Sequence, residues 1–334
     1  MSKMRVSRYD GQPLFDIASY ARKGPASRDR LSAAEIAQIS RTVNRAPEVM
    51  VKVLPMGSHD LKSISRHFGY IGRYGELDLE TDDGQAVRGK DVGRHLLEDW
   101  DLDLDERRRG TALAAAGWRR PPKHVHKLML SMPAGTPSAA VLAAARSFLR
   151  EQFALQHRYA FVLHTDEPHP HVHAVVKAVS EQGKRLNITK STLREWRSEF
   201  ARHLREQGIE ANATDRAVRG QSRGTKRDGI YRAHERGEST YMRDRAIAIA
   251  SERTGGRRVA EPGSARLART RQAVVGGWSA ASDILRRQGQ FRLAAGVDAL
   301  LRRMPMPQPD KEWMSARLLE RLRAPQIDER SPGR

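Results

Sequence analysis

The chain of 334 residues contains no cysteine. That absence excludes disulfide bridges, thiolate catalysis and cysteine-ligated zinc together, and it makes a cytoplasmic location the expectation. No run of eighteen apolar residues occurs, so no membrane span is expected. The first residues are basic but have no apolar stretch behind them, so no secretory signal is expected either. Internal repeats are also absent. Positive charge, in contrast, is in excess. Lys and Arg total 60 against 40 Asp and Glu, a formal charge of +20. Solubility asks for a net charge of about 2–8 in a small domain. The surplus points to a polyanionic partner, nucleic acid first and an acidic membrane second.

Three regions are expected from the pattern along the chain: an N-terminal extension over 1–47, a main domain over 48–220, and an arginine-rich helical region over 221–334. In the extension, Ser32-Ala-Ala-Glu35 reads as a capping box opening a short helix. Val49–Leu54 reads as a strand, and a helix is expected over Asp60–Tyr70. Residues 80–110 alternate in charge, with a short helical patch at Leu96–Trp100. Arg107–Arg109 and Arg119–Arg120 suggest a basic loop. His124–Met132 reads as a second strand, and Thr136 as the cap of a helix over Ser138–Phe153. Strands at Tyr159–His164 and His171–Val179 follow, then a turn at Glu181–Lys184 and a charged helix capped by Thr189 or Ser191. Four or five strands with intervening helices imply an α+β domain, a central antiparallel sheet flanked by helices. Beyond a Gly/Arg-rich linker at 221–228, helical patterns recur at Tyr231–Arg253, Ala265–Val275, Trp278–Arg287 and Trp313–Leu322.

Residues 164 to 179, HTDEPHPHVHAVVKAV, hold four of the twelve histidines within ten positions. Strand side chains alternate between faces, so His171 and His173 should project from one face. His164 ends the preceding apolar run. If the two runs pair antiparallel through Thr165–Pro170, His164 arrives beside the pair. Three imidazoles with no fourth protein ligand form an open site suited to a catalytic metal. Asp166 is placed to fix the tautomer of a ligating histidine. His169, between Pro168 and Pro170, either contacts substrate or sits in the turn.

Such a site on a basic protein needs a nucleophile. With cysteine absent, the choices are serine, tyrosine, a carboxylate or water. The segment Ser65-Arg-His-Phe-Gly-Tyr70-Ile-Gly-Arg73-Tyr74-Gly-Glu-Leu sets two tyrosines among glycines, which admit close backbone approach, and arginines, which suit phosphate.

Taken together, these segments resemble the three motifs of the tyrosine relaxases of plasmid mobilisation and conjugation. The likeness is to the P-type class, permuted members of the histidine–hydrophobe–histidine endonuclease superfamily. His164-x-Asp166-x4-His171-x-His173 is similar to the third motif at its full spacing. Phe68-Gly-Tyr70-Ile-Gly-Arg73-Tyr74-Gly-Glu-Leu is similar to the first, in a register that selects Tyr70 over Tyr74. Leu130-Ser131-Met-Pro133-Ala-Gly-Thr136 is similar to the second. The likeness covers about residues 48–220. It departs from the pattern in the long segment before the first strand and in the second tyrosine, Tyr74, a candidate secondary nucleophile.

The resemblance implies a permuted histidine–hydrophobe–histidine fold and attack by Tyr70 on one phosphodiester at a plasmid transfer origin, leaving a 5′-phosphotyrosyl link and a free 3′-OH. It implies Mg2+ or Mn2+ on His164, His171 and His173, with Asp166 aiding proton transfer. DNA contacts are expected from Ser131, Arg73, Tyr74 and His169. Expected partners are single-stranded and duplex DNA at the origin, a relaxosome accessory protein, and a type IV coupling protein or secretion system. The bacterial cytoplasm is the expected location, with passage into a recipient cell beside the DNA. Three alternatives stay open: a metal-dependent phosphodiesterase using water, a non-catalytic DNA-binding accessory protein, and a replication-type nicking protein whose tyrosine, Tyr231 or Tyr241, follows the histidines.

Overall fold

A computed structural model describes residues 30–55, 59–104, 122–221, 233, 236–254, 263–307, 312, 314 and 315. The basic loop at 107–120, the linker at 222–228, Tyr231 and most of 313–322 lie outside the described residues. The chain groups into two compact units, Asn44–Ala213 and Met1–Val43 with Thr214–Arg334.

The first unit is α+β. It contains strands β1 (Met50–Leu54), β2 (Leu79–Thr81), β3 (Ala86–Val87), β4 (Val125–Ser131), β5 (Tyr159–His164) and β6 (His171–Lys177). They form one antiparallel sheet in the order β1-β4-β6-β5-β2-β3. Two of these strands, β2 and β3, fall in a charged stretch that shows no strand pattern in the sequence. They pair through a turn at Asp82–Gly84, where Asp82 also accepts from Arg158 and from the Tyr159 amide. The segment after Gly183 adds only an isolated bridge, Val179 to Arg185.

Helices cover both faces, because the central strands β4, β5 and β6 are buried on both sides. One face packs Leu128, Leu130, Phe161, Val172, Ala174 and Val176 against the helices Ser138–Phe153 and Lys190–Glu206. Phe148 is the hub there, with edge contacts to Phe153, Trp196 and Phe200. Each such pair contributes about 0.5–1.5 kcal/mol beyond area burial. Thr189 builds a capping box with Thr192 at the second of these helices. The expected cap at Thr136 is a correction: its hydroxyl bonds the Pro133 carbonyl, closing the turn, and Pro137 occupies the N-cap position.

The opposite face carries Leu61–Ile71 and Val92–Asp99. These pack Ile64, Phe68, Ile71, Val92 and Leu96 onto Val125, Ala160, Val162 and Val175. Asp60 caps the first of them by accepting from the Ser63 amide at 2.8 Å. The two helices meet at Gly93, where an added Cβ would lie 2.3 Å from the Ser65 carbonyl oxygen.

In chain order the helices introduced so far are α2 (Leu61–Ile71), α3 (Val92–Asp99), α4 (Ser138–Phe153) and α5 (Lys190–Glu206). The second unit holds α1 (Ala33–Val43), α6 (Thr240–Thr254), α7 (Ser264–Arg287) and α8 (Phe291–Arg303). The Ser32/Glu35 capping box forms as expected. The α1 helix of the N-terminal extension packs with α7 and α8: Leu31 and Ile39 share a core with Trp278, Leu285 and Val297. Helix α7 runs straight through Gly276-Gly277, since Gly277 is buried beside Trp278 and packing overrides propensity.

Gly93→Ala must push α2 and α3 apart, and overpacking of this kind costs about 1–3 kcal/mol. The expected result is a lower urea midpoint and a displaced Tyr70. An unchanged midpoint would show that the contact at Ser65 relaxes freely.

Candidate active site

The register of three strands builds the site. Ser131 in β4 lies opposite His171 in β6, and His171 lies opposite His164 in β5. Directly paired residues share a face, so these three form one row across the sheet. In the next row, His173 stands between Met129 and Val162. The ring centroids are 5.2 Å apart for His164–His171, 4.8 Å for His164–His173 and 5.2 Å for His171–His173. One ring nitrogen from each lies within 4.8 Å of the others.

The donor set fits a divalent cation. A carbonyl only accepts, so His164 Nε2–H donates to the Ile71 carbonyl at 2.7 Å, and Nδ1 carries the lone pair. His171 Nδ1–H donates to the His169 carbonyl at 3.2 Å, which leaves Nε2 as its lone pair. His173 Nδ1 is buried with no hydrogen-bond partner among the described residues. Burial holds the pKa values of His164 and His173 below the usual imidazole range, the latter at about 3, with the neighbouring imidazoles adding to the effect. Neutral rings are the form that binds metal. Asp166 does not hold a tautomer in this structure; the backbone carbonyls of Ile71 and His169 do that.

Asp166 instead pairs with Arg73. Desolvation raises its pKa, but its own backbone amide and then Arg73, His164 and His171 together lower it further. Arg73 Nη2 also lies 3.3 Å from His164 Nδ1, the lone pair a metal would need, and its guanidinium carbon is 5.4 Å from the centre of the Tyr70 ring. This reach depends on a strained turn. Arg73 and Tyr74 both adopt the left-handed region, at φ 49° and 54°. Each such residue costs about 1 kcal/mol or more. Gly72 ends α2 against Leu79, where a Cβ would lie 2.8 Å from the Leu79 side chain.

Tyr70 is 48% exposed at the end of α2. Tyr74 is 69% exposed, and no hydrogen bond or ring contact ties it to the histidines among the described residues. His169 pairs with Glu167 at 2.9 Å on the rim, 5.8 Å in ring centroid from His171.

Sequence reasoning missed His67. Its ring stacks on Tyr70 at 6.3 Å and meets His173 edge-on at 6.3 Å, so it links the tyrosine to the triad. The signal that could have found it is the i, i+3 spacing to Tyr70 on one helix.

Residues 85–209 match the family model described as the nuclease domain of MobA/VirD2-like relaxases. That stretch is similar to a relaxase nuclease domain. The chain is similar to the T-DNA border endonuclease VirD2 of Rhizobium radiobacter, at 27% identity over 199 residues, covering 52% of this chain and 43% of that protein. A second similarity is to VirD2 of Agrobacterium fabrum, at 26% over 222 residues, covering 59% of this chain and 46% of that protein. The chain thus spans less than half the length of the curated relatives it matches. No solved structure gives a significant match. The matched stretch contains Ser131 and the three histidines, while His67, Tyr70 and Arg73 of the candidate site lie before it.

Two outcomes are expected. Mn2+ should stabilise the fold by about 2.7 kcal/mol at a hundredfold excess over Kd and so raise the thermal midpoint; EDTA should reverse the gain and His173→Ala should abolish it. Separately, burial first of all holds His67, His126 and His173 at about 4, 4 and 3. Below the unfolded value, near 6.5, the unfolded chain binds protons that the folded chain refuses. Stability is therefore complete above that pH and declines as pH falls toward 4 and then 3. Urea midpoints in chelator at pH 7.5 and pH 5 check this; a higher midpoint at pH 5 would contradict it.

Proposed function

We propose that this relaxase domain nicks and rejoins one DNA strand at a plasmid transfer origin, with Tyr70 as nucleophile. The observation that carries the reading is the convergence of Tyr70 on the triad, through His67 on one side and Arg73 on the other. The Tyr70 oxygen attacks phosphorus and the P–O3′ bond breaks. The DNA is left joined 5′ to the tyrosine, and the 3′ oxygen leaves as an alkoxide that takes a proton from solvent water to become a hydroxyl. Asp166, ionised beside Arg73, takes the phenolic proton. When bound by His164, His171 and His173, Mg2+ or Mn2+ supplies positive charge at a phosphate oxygen. Arg73 leaves His164 for the phosphate when DNA binds, and Ser131, in the same row as His171, hydrogen-bonds the strand. Tyr74 and His169 contact flanking nucleotides from the rim. Because the phosphotyrosyl bond conserves the energy of the phosphodiester, the 3′ hydroxyl can reverse the reaction after transfer.

The charge of +20 supports single-stranded and duplex DNA as ligands. Under this reading the protein works in the bacterial cytoplasm and passes with DNA into a recipient through a type IV secretion system. A relaxosome accessory protein and a coupling protein contact the C-terminal region, 221–334. No helix among the described residues is long and apolar enough to cross a membrane.

A denaturing gel tests the chemistry. With Mn2+ and labelled oligonucleotides spanning candidate origins, the wild-type protein should yield a protein–DNA adduct. Tyr70→Phe and His171→Ala should lose it by at least about a hundredfold, while Tyr74→Phe keeps it. Cleavage without an adduct would establish water as the nucleophile, and binding without cleavage on the cognate origin would leave only a DNA-binding role.

A further inference from the structure

Lys127 is a charged residue in the middle of a sheet. It lies in β4, 5% exposed, between Leu54 of β1 and Val175 of β6. Alternation along β4 puts it on the same face as Met129 and Ser131, hence on the face of the histidines. No carboxylate pairs with it among the described residues. Burial lowers its pKa, and no neighbouring acid opposes the shift. His67, the ring between Tyr70 and His173, senses its charge. A buried ammonium without an anion is destabilising, because nothing offsets its loss of hydration. A sheet core gains nothing from such a group, since methionine or leucine would fill the same volume.

The neighbourhood shows where an anion would come from. Lys52, exposed on the edge strand β1, is opposite Met129 and so sits diagonally from Lys127. The core beneath α2 and α3 takes residues from β4, β5 and β6 but none from β1. The histidine-bearing face therefore continues onto β1 without being packed into that core, and the two lysines lie along it.

We propose that Lys127, with Lys52, binds the phosphate backbone of the single strand beside the bond to be cut, the strand supplying the anion that the buried ammonium lacks. This rests on the relaxase reading above. Lys127 fixes where the strand runs along β4, and Ser131, two residue pairs further along the same face, then meets the nucleotide at the triad. Such a contact reads no base and positions the backbone.

The test is binding of a labelled single strand of mixed sequence to the full chain carrying Tyr70→Phe, so that cleavage does not intrude, at several salt concentrations. Lys127→Met, which keeps the stem, should weaken binding about tenfold at low salt and lower the slope of log K against log salt by about 0.7, one phosphate of a single strand. Its thermal midpoint should equal or exceed that of the parent, because an unpaired buried charge has gone. Lys127→Arg should retain the slope. Unchanged affinity and slope in Lys127→Met, with the parent binding normally, would overturn the proposal alone. A lowered midpoint in both Lys127→Met and Lys127→Gln would also overturn it, by showing a structural lysine. A parent that binds no single strand would sink the relaxase reading and this proposal together.

Discussion

Everything at the candidate site depends on the register of three antiparallel strands. The pairing of β4 with β6 and of β6 with β5 sets Ser131, His171 and His164 in one row and His173 in the next. A strand side chain has only two faces to choose from. A slip of one residue would send both β6 histidines into the core around Phe148 and bring Val172 and Ala174 to the site. That register is held by apolar burial on both sides of the sheet, with Val172, Ala174 and Val176 against α4 and α5, and Val175 beneath α2. The geometry of the histidine triad is thus maintained by hydrophobic residues outside it.

On this platform the helix α2 delivers the tyrosine. Gly93 lets α3 approach α2 closely, and Phe68 meets Trp100 edge-on at 5.4 Å in the core below. At the end of α2, two residues in left-handed conformations aim Arg73 back at β5. Strain in that turn is opposed by the Arg73–Asp166 ion pair and by the bond from His164 to the Ile71 carbonyl. The same few groups therefore hold the turn, orient an imidazole and flank the Tyr70 ring. Lys127 on the same face of the sheet is likewise buried with no carboxylate partner among the described residues. Sites of this kind are expected to give up stability for function.

The second unit shows how far sequence distance can mislead. Helix α1 and helices α7 and α8 form one core although more than 200 residues separate them, with the Gln288 side chain bonding both the amide and the carbonyl of Leu31. Gly296 permits that approach; a Cβ there would lie 2.7 Å from Val43. Helix α8 was not expected from the sequence: its apolar residues Leu293, Ala294, Val297, Leu300 and Leu301 repeat at helical spacing, but Gly296 interrupts the repeat and Pro305 follows it.

The sequence by itself determined what depends on local periodicity and on residue chemistry. The alternation His171-Val-His173 names the ligands on one face, the caps at Ser32 and Thr189 mark helix starts, and the absence of cysteine restricts the nucleophile. The α+β class followed from the same patterns. Tertiary structure alone decided which groups meet. It gave the histidine tautomers to the carbonyls of Ile71 and His169 and tied Asp166 to Arg73. It brought His67 between Tyr70 and His173, paired β2 with β3 in a charged stretch, and left Lys127 buried without a counter-ion among the described residues. These are contacts between residues distant along the chain, and no period of two or of 3.6 encodes them; they exist only once packing has chosen a register.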